Sequence, residues 1–317
     1  MRRCEALCQP DSWAARLEEA ERRLPPLADL VARREVRDVA VAAGLDWLAD
    51  HPPRLAEFNE FLEEMFLLAL VAHNLRGEEA GQRALGLARS RLDLVRAEGV
   101  PASHQGFAYL DLYIEAVASY IGDHPGGTSA REEFVSEASR SSFSLKATLL
   151  AAALWPFLSP DQAERIRAAW RRDVAEGRLG ISGNLPSLDA PLAWYEPGHE
   201  VAVLYAYGED PVGVLPSAVA ERLEAGFRRA TLAFLRTDMV DVLSEVLSSY
   251  RVLAGAGDEF FERGAQYLAG LANEDGSFGP SPDLPGGRSD PFRHATLSVL
   301  WTLSIAGRDH NRSGDRR

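Results

Sequence analysis

Four stretches of this chain place ionisable side chains where short apolar runs begin. His104, Asp111 and Glu115 fall at i, i+7 and i+11, which is one stripe of a helix. His199 and Glu200 head the segment EVAVLYAYG. Asp238, Asp241, Glu245 and Ser248 make a second stripe, and His294 shares a third with Ser298 and Trp301. Histidine changes charge near neutrality, and a carboxylate beside it fixes both its orientation and its proton. That combination suits general acid–base chemistry. His199 is the expected general base or acid. His104, oriented by Asp111, or His294 is its expected counterpart. Asp241 and Glu245 are expected to stabilise a developing cation or to orient a hydroxyl. Trp194, Tyr195, Glu200, Glu115 and Trp301 form the expected substrate-lining set. Ala202, Val203 and Ala206 continue the His199 stripe with small side chains, which leaves room beneath it. A competing reading is structural, because acidic residues at helix starts, such as Asp238, Asp290 and Glu60, also serve as caps and dipole partners.

Helices must position these residues. Apolar periodicity is helical throughout, and strand patterns are almost absent. Glycine and proline divide the chain into an N-terminal helix, about 12–24, followed by six pairs. The pairs are about 33–50 with 53–75, 78–98 with 102–121, 129–139 with 142–157, 160–176 with 198–208, 216–236 with 238–254, and 258–272 with 291–306. First members, such as DQAERIRAAWRRDVAEG, are amphipathic and need one wet face. Several second members, such as HATLSVLWTLSIAG, are apolar nearly all round and belong inside. Outer and inner helices that alternate in this way predict an all-α fold, an (α/α)6 toroid of helical hairpins with an extra N-terminal helix. Irregular pair lengths and the lack of a recurring motif argue against an open solenoid. One domain is expected over residues 1–307, with 1–32 as a helical extension and 308–317 as a disordered tail. In a hairpin ring all inner helices run the same way. Their N-termini, with Asn59, Glu60, Glu63, Ser142, Ser144, Asp290 and Arg293 beside the residues above, then gather at one rim. Two long loops, about 177–197 and 273–290, join them there.

Bulk properties bound the function. The 317 residues carry a formal net charge of -13, which disfavours a nucleic-acid partner. Lys146 is the one lysine among many arginines, a pattern expected of a GC-rich bacterial genome. Cys4 and Cys8 are the only cysteines. Without a third or fourth ligand nearby they read as free thiols in a reducing cytoplasm, and no metal site is expected. No apolar run follows the N-terminal arginines, and none is long enough to span a membrane. The expectation is a cytoplasmic protein with a small-molecule substrate and no membrane partner. Oligomeric state has no signature in the sequence.

At Leu271–Gly279, LANEDGSFG, the chain resembles the Q-x-x-D-G-S-W repeat of the terpenoid cyclase and protein prenyltransferase superfamily. Asp275, Gly276 and Ser277 match, while Ala272 and Phe278 stand at the glutamine and tryptophan positions. The following PFRHATLSVLWTL is similar to the last inner helix of those toroids. GHEVAVLYAYG and DMVDVLSEVLSSYRVLAG are similar to an uncharacterised bacterial toroid family, which places an acid where Ala206 stands here. The resemblance implies the fold more than the chemistry. Asp238-Met-Val-Asp241 is not the acid motif of terpene cyclases, and no cysteine accompanies His294 and Asp241 as prenyltransferase zinc binding requires. The expected function is therefore a cofactor-independent tailoring enzyme of bacterial secondary metabolism. It would cyclise, isomerise or eliminate on a small, largely apolar molecule. The alternatives are a glycan-active hydrolase or lyase using paired carboxylates, and a non-catalytic peptide- or protein-binding toroid.

Overall fold

The computed structural model describes residues 10–101, 110–122, 128–140, 145–210, 213–235, 239–280 and 290–314. His104, Asp238, Ser142 and Ser144 lie outside the described residues. Among the described residues the structure is all-helical, with no strand. The N-terminal helix is α1 (Pro10–Arg23). Amphipathic helices alternate with more apolar ones along the rest of the chain. The amphipathic set is α2 (Leu30–Asp50), α4 (Glu79–Glu98), α6 (Thr128–Ala138), α8 (Pro160–Ala175), α10 (Ser217–Phe234) and α12 (Glu259–Ala269). The apolar set is α3 (Phe58–Asn74), α5 (Leu110–Tyr120), α7 (Leu145–Leu154), α9 (Tyr195–Leu204), α11 (Val240–Ala254) and α13 (Arg293–Gly314). No helix is long and apolar enough to cross a membrane among the described residues.

Packing follows the apolar set. In sequence, α3 packs on α5, α5 on α7, α7 on α9, α9 on α11 and α11 on α13, and α13 also packs on α3. Burial explains why these helices differ from their partners. Every residue of α11 from Val240 to Arg251 is buried, as is every residue of α13 from Arg293 to Arg308. Helices apolar all round must bury all faces, and their few polar atoms then need internal partners. Between α11 and α13, Ser248 Oγ meets Thr302 Oγ1 at 2.6 Å, and Thr302 Oγ1 also donates to Ser298 O at 3.0 Å. Asn74 donates to Ser304 Oγ at 2.9 Å between α3 and α13.

Local sequence explains the ends. Ser159 and Gln162 form a reciprocal capping box at the start of α8, with Pro160 at its first position. Asp29 and Asp258 cap α2 and α12 through Ala32 N and Phe261 N, both at 2.9 Å. The chain before α2 is tied down by Arg263, which donates to Pro25 O, Glu21 O and Leu24 O.

Two stretches depart from the sequence-based expectation. The helix expected over 198–208 starts earlier, at Tyr195, and stops at Leu204. Ala206 and Tyr207 then take left-handed conformations, with φ 49° and 54°. A left-handed residue cannot continue a right-handed helix, so the chain turns sharply there. At the other end, α13 runs on to Gly314, so helix extends into the stretch whose composition predicts a disordered tail.

The motif Asp275-Gly276-Ser277-Phe278 acts as a staple. Asp275 Oδ1 accepts from Ser277 N at 3.0 Å and from Ser277 Oγ at 2.7 Å, which closes a tight turn. Gly276 has φ 89°, and a Cβ there would lie 2.5 Å from Ala43 O of α2. Fully buried Phe278 donates its amide to Thr296 Oγ1 of α13 at 3.0 Å. The turn thus locks the connection before α13 against both α2 and α13.

Candidate functional site

The N-terminal ends of four apolar helices meet in one polar cluster. His294, the second residue of α13, is buried at 5% exposure. Its Nε2 lies 3.1 Å from Glu245 Oε1 of α11. Its Nδ1 lies 2.9 Å from Glu63 Oε1 of α3, at ion-pair distance but out of line for a hydrogen bond. His199 of α9 approaches the other oxygen of Glu245, with Nε2 to Oε2 at 3.2 Å. That contact is also an ion-pair distance without hydrogen-bond alignment. Glu245 therefore stands between two imidazoles, one on each carboxylate oxygen. Beside it, Tyr195 donates its hydroxyl to Asp241 Oδ2 at 2.5 Å, and Asp241 is fully buried. The Tyr195 ring sits 5.9 Å from the His199 ring and 6.4 Å from the His294 ring.

Proton inventory shows what this arrangement can do. A neutral imidazole offers one donor and one acceptor. His294 has a carboxylate oxygen near each nitrogen, so the two carboxylates on α3 and α11 fix the orientation of its ring. Buried groups that share a proton can pass it along. The Glu63–His294–Glu245–His199 line has a buried middle, His294 and Glu245, and two partly exposed ends, with the Glu63 side chain 36% and the His199 side chain 48% exposed. His199, the more exposed end, is the one better placed to meet a ligand. Carboxylates near helix N-termini are also favoured by the helix dipoles, and they offset the cost of a histidine placed there.

A second, drier network holds the end of α13. Glu64 is fully buried, and its oxygens take Arg91 Nε at 2.8 Å and Arg293 Nη1 at 2.6 Å. Burial pushes the Glu64 carboxyl up from its ordinary value, and the two guanidinium groups pull it partly back. Arg293 precedes His294, so this network fixes the position from which His294 reaches the cluster.

The expected site residues divide clearly. His199, His294, Asp241, Glu245 and Tyr195 come together. Trp301, seven residues after His294 on α13, is buried and meets Tyr207 edge-on with ring centroids 5.5 Å apart. Trp194 does not join: it is buried against Phe227 and Phe234 and donates Nε1 to Ser187 O at 3.2 Å. Glu200 faces the other way, accepting from Gly180 N at 2.9 Å and Ile181 N at 2.8 Å to hold the loop before α9. Burial raises the Glu200 carboxyl above its ordinary value despite these bonds. Glu115 pairs with Arg131 of α6 at 2.7 Å, and Asp111 is exposed. His104 lies outside the described residues.

Glu63 belongs to the cluster although sequence reasoning gave it no catalytic role. Its signal was its place near the start of an apolar helix, α3. Glu64 and Arg91 carry a readable signal too, a charge inside an apolar run facing a charge on an amphipathic helix. Among the described residues, no group of three or more His, Cys, Asp or Glu side chains is placed to hold a metal ion. A groove of about 400 Å³ lies away from the cluster, between α2 and α4. Its central Arg37 is spoken for by Asp38 at 2.6 Å and Glu78 at 2.7 Å.

The chain matches no family model, no curated protein and no solved structure. The cluster's geometry must therefore carry the functional reading.

Proposed function

We propose that the protein is an acid–base enzyme whose site is the Glu63–His294–Glu245–His199 cluster with Tyr195 and Asp241. The carrying observation is Glu245 held between two histidines, one buried and one half exposed. In this reading His199 takes or gives the proton at the substrate. Glu245 holds its ring, and His294 with Glu63 buffers the charge that this creates. Tyr195 and Asp241 hold a hydroxyl or face a developing cation. The chemistry is a cofactor-independent cyclisation, isomerisation or elimination on a small, largely apolar molecule, a tailoring step of bacterial secondary metabolism.

The architecture in this reading is an (α/α)6 toroid. Support comes from the packing of α3, α5, α7, α9, α11 and α13, each on the next, with α13 returning to α3. All four helices that supply the cluster do so from their N-terminal ends, as an inner ring of parallel helices requires.

The test is proton exchange at carbon. The purified protein is incubated in D2O with a panel of apolar ketones and polyenes, and mass spectrometry reads deuterium uptake and new isomers. Uptake by the wild type that is lost in His199→Ala, with an unchanged melting temperature, is the expected result. No uptake by the wild type, or equal uptake by the variant, overturns the proposal.

A further inference from the structure

We infer that Tyr207 is a catalytic hydrogen-bond donor of this same site, aimed at a carbonyl oxygen of the substrate. The inference rests on the acid–base reading and narrows it to apolar carbonyl compounds. Three observations carry it. The first is the backbone, where Ala206 and Tyr207 are consecutive residues with φ 49° and 54°. Side chains rarely adopt that region, and such strain persists only where the surroundings enforce it, most often at functional sites. The second is the ring's place. Tyr207 is buried at 9% exposure, edge-on to Phe66 at 5.4 Å and to Trp301 at 5.5 Å. The strained turn therefore drives the ring in among the apolar helices rather than out to solvent. The third is a donor left over. Trp301 Nε1 is buried and has no hydrogen-bond partner among the described residues. A buried N–H of this kind calls for an acceptor that the described residues do not supply, and a substrate oxygen would be one.

Electrostatics fit a donor role. Burial and the nearby charges of Glu245 and Glu63 raise the Tyr207 phenol well above its ordinary range. It therefore keeps its proton and donates a hydrogen bond without titrating. The step balances without a co-reactant. His199 takes a proton from the carbon next to a carbonyl, and the C–H electron pair moves into the carbonyl. The oxygen gains negative charge and accepts the Tyr207 O–H, with Trp301 Nε1–H as second donor. In a β,γ-unsaturated carbonyl compound the enolate electrons extend through the C=C bond. The imidazolium returns the proton to the γ carbon as the double bond moves to the α,β position and the carbonyl re-forms, and the net change is isomerisation. In a saturated ketone the proton returns to the same carbon, and the net change is exchange.

Deuterium uptake by the ketones of the same panel tests this with Tyr207→Phe, which removes one oxygen and keeps the ring. Loss of one such donor lowers rates by about 10²-fold or more. That fall is expected, with the pH limb set by His199 retained. Tyr267→Phe serves as a control, because the Tyr267 hydroxyl of α12 donates to Leu235 O at 2.8 Å and touches none of the cluster residues. Its uptake rate should match the wild type. Wild-type uptake by Tyr207→Phe, alongside an inactive His199→Ala, overturns the role of Tyr207 and leaves the site standing. Absence of uptake by the wild type overturns the acid–base reading and this inference with it. Should Tyr207→Phe melt early, Trp301→Phe tests the second donor instead. A slower rate in that variant supports the pair, and an unchanged rate overturns it.

Discussion

At the scale of single residues, Glu245 decides the character of the cluster, because each of its oxygens faces a different histidine. Glu64 decides its rigidity. Arg293→Ala leaves the Glu64 carboxylate buried with one guanidinium instead of two, and breaking a buried pair costs about 3–5 kcal/mol. Urea unfolding should show a loss of that order, and a loss below about 1 kcal/mol contradicts the network's role. Two buried carboxyls also give stability a pH dependence of definite sign. Glu64 and Glu200 have folded-state values raised above 4.5, so in that window the folded protein holds protons that the unfolded chain has released. Their contribution to stability therefore falls as pH rises from 4.5 through the raised values. Glu200→Gln keeps one of the two oxygens that accept from the Gly180 and Ile181 amides, so it lowers stability, and it removes the Glu200 share of that fall. Urea midpoints across the window should vary less with pH in the variant than in the wild type.

At the scale of elements, the helix N-termini explain why the cluster was largely legible in the sequence. A helix buried on all faces must be largely apolar, so the ionisable residues that remain on it collect near its ends. His199, Asp241, Glu245 and His294 stood out for that reason. Trp194 and Glu200 misled because an aromatic or an acid beside a histidine looks the same whether it faces a ligand or a loop. Their real partners, Ser187 O and the Gly180–Ile181 amides, lie in a loop with no regular period. The left-handed step at Ala206–Tyr207 was not legible either, since neither residue type favours it and only tertiary packing enforces it. The Asp275-Gly276-Ser277 turn was legible as a motif, and the structure gives it a reason. Gly276→Ala would force a Cβ to within 2.5 Å of Ala43 O at φ 89°. The expected cost is on the order of 2 kcal/mol or more. A thermal melt within error of the wild type would contradict the close approach.

At the scale of the whole molecule, composition set the class and packing set the site. Alternation between arginine-rich and apolar helices anticipated the all-helical structure and most of its boundaries. The proposed function rests on three helix ends meeting at one carboxylate, Glu245, with Glu63 of α3 joining through His294. Glu245→Gln tests that convergence most directly, because it keeps the size of the side chain and removes the charge both histidines face. The measurement is the rate of deuterium uptake by apolar ketones in D2O, wild type against Glu245→Gln, at matched melting temperature. The account predicts uptake by the wild type and a fall of about 10²-fold or more in the variant. Equal rates in the two proteins would contradict it.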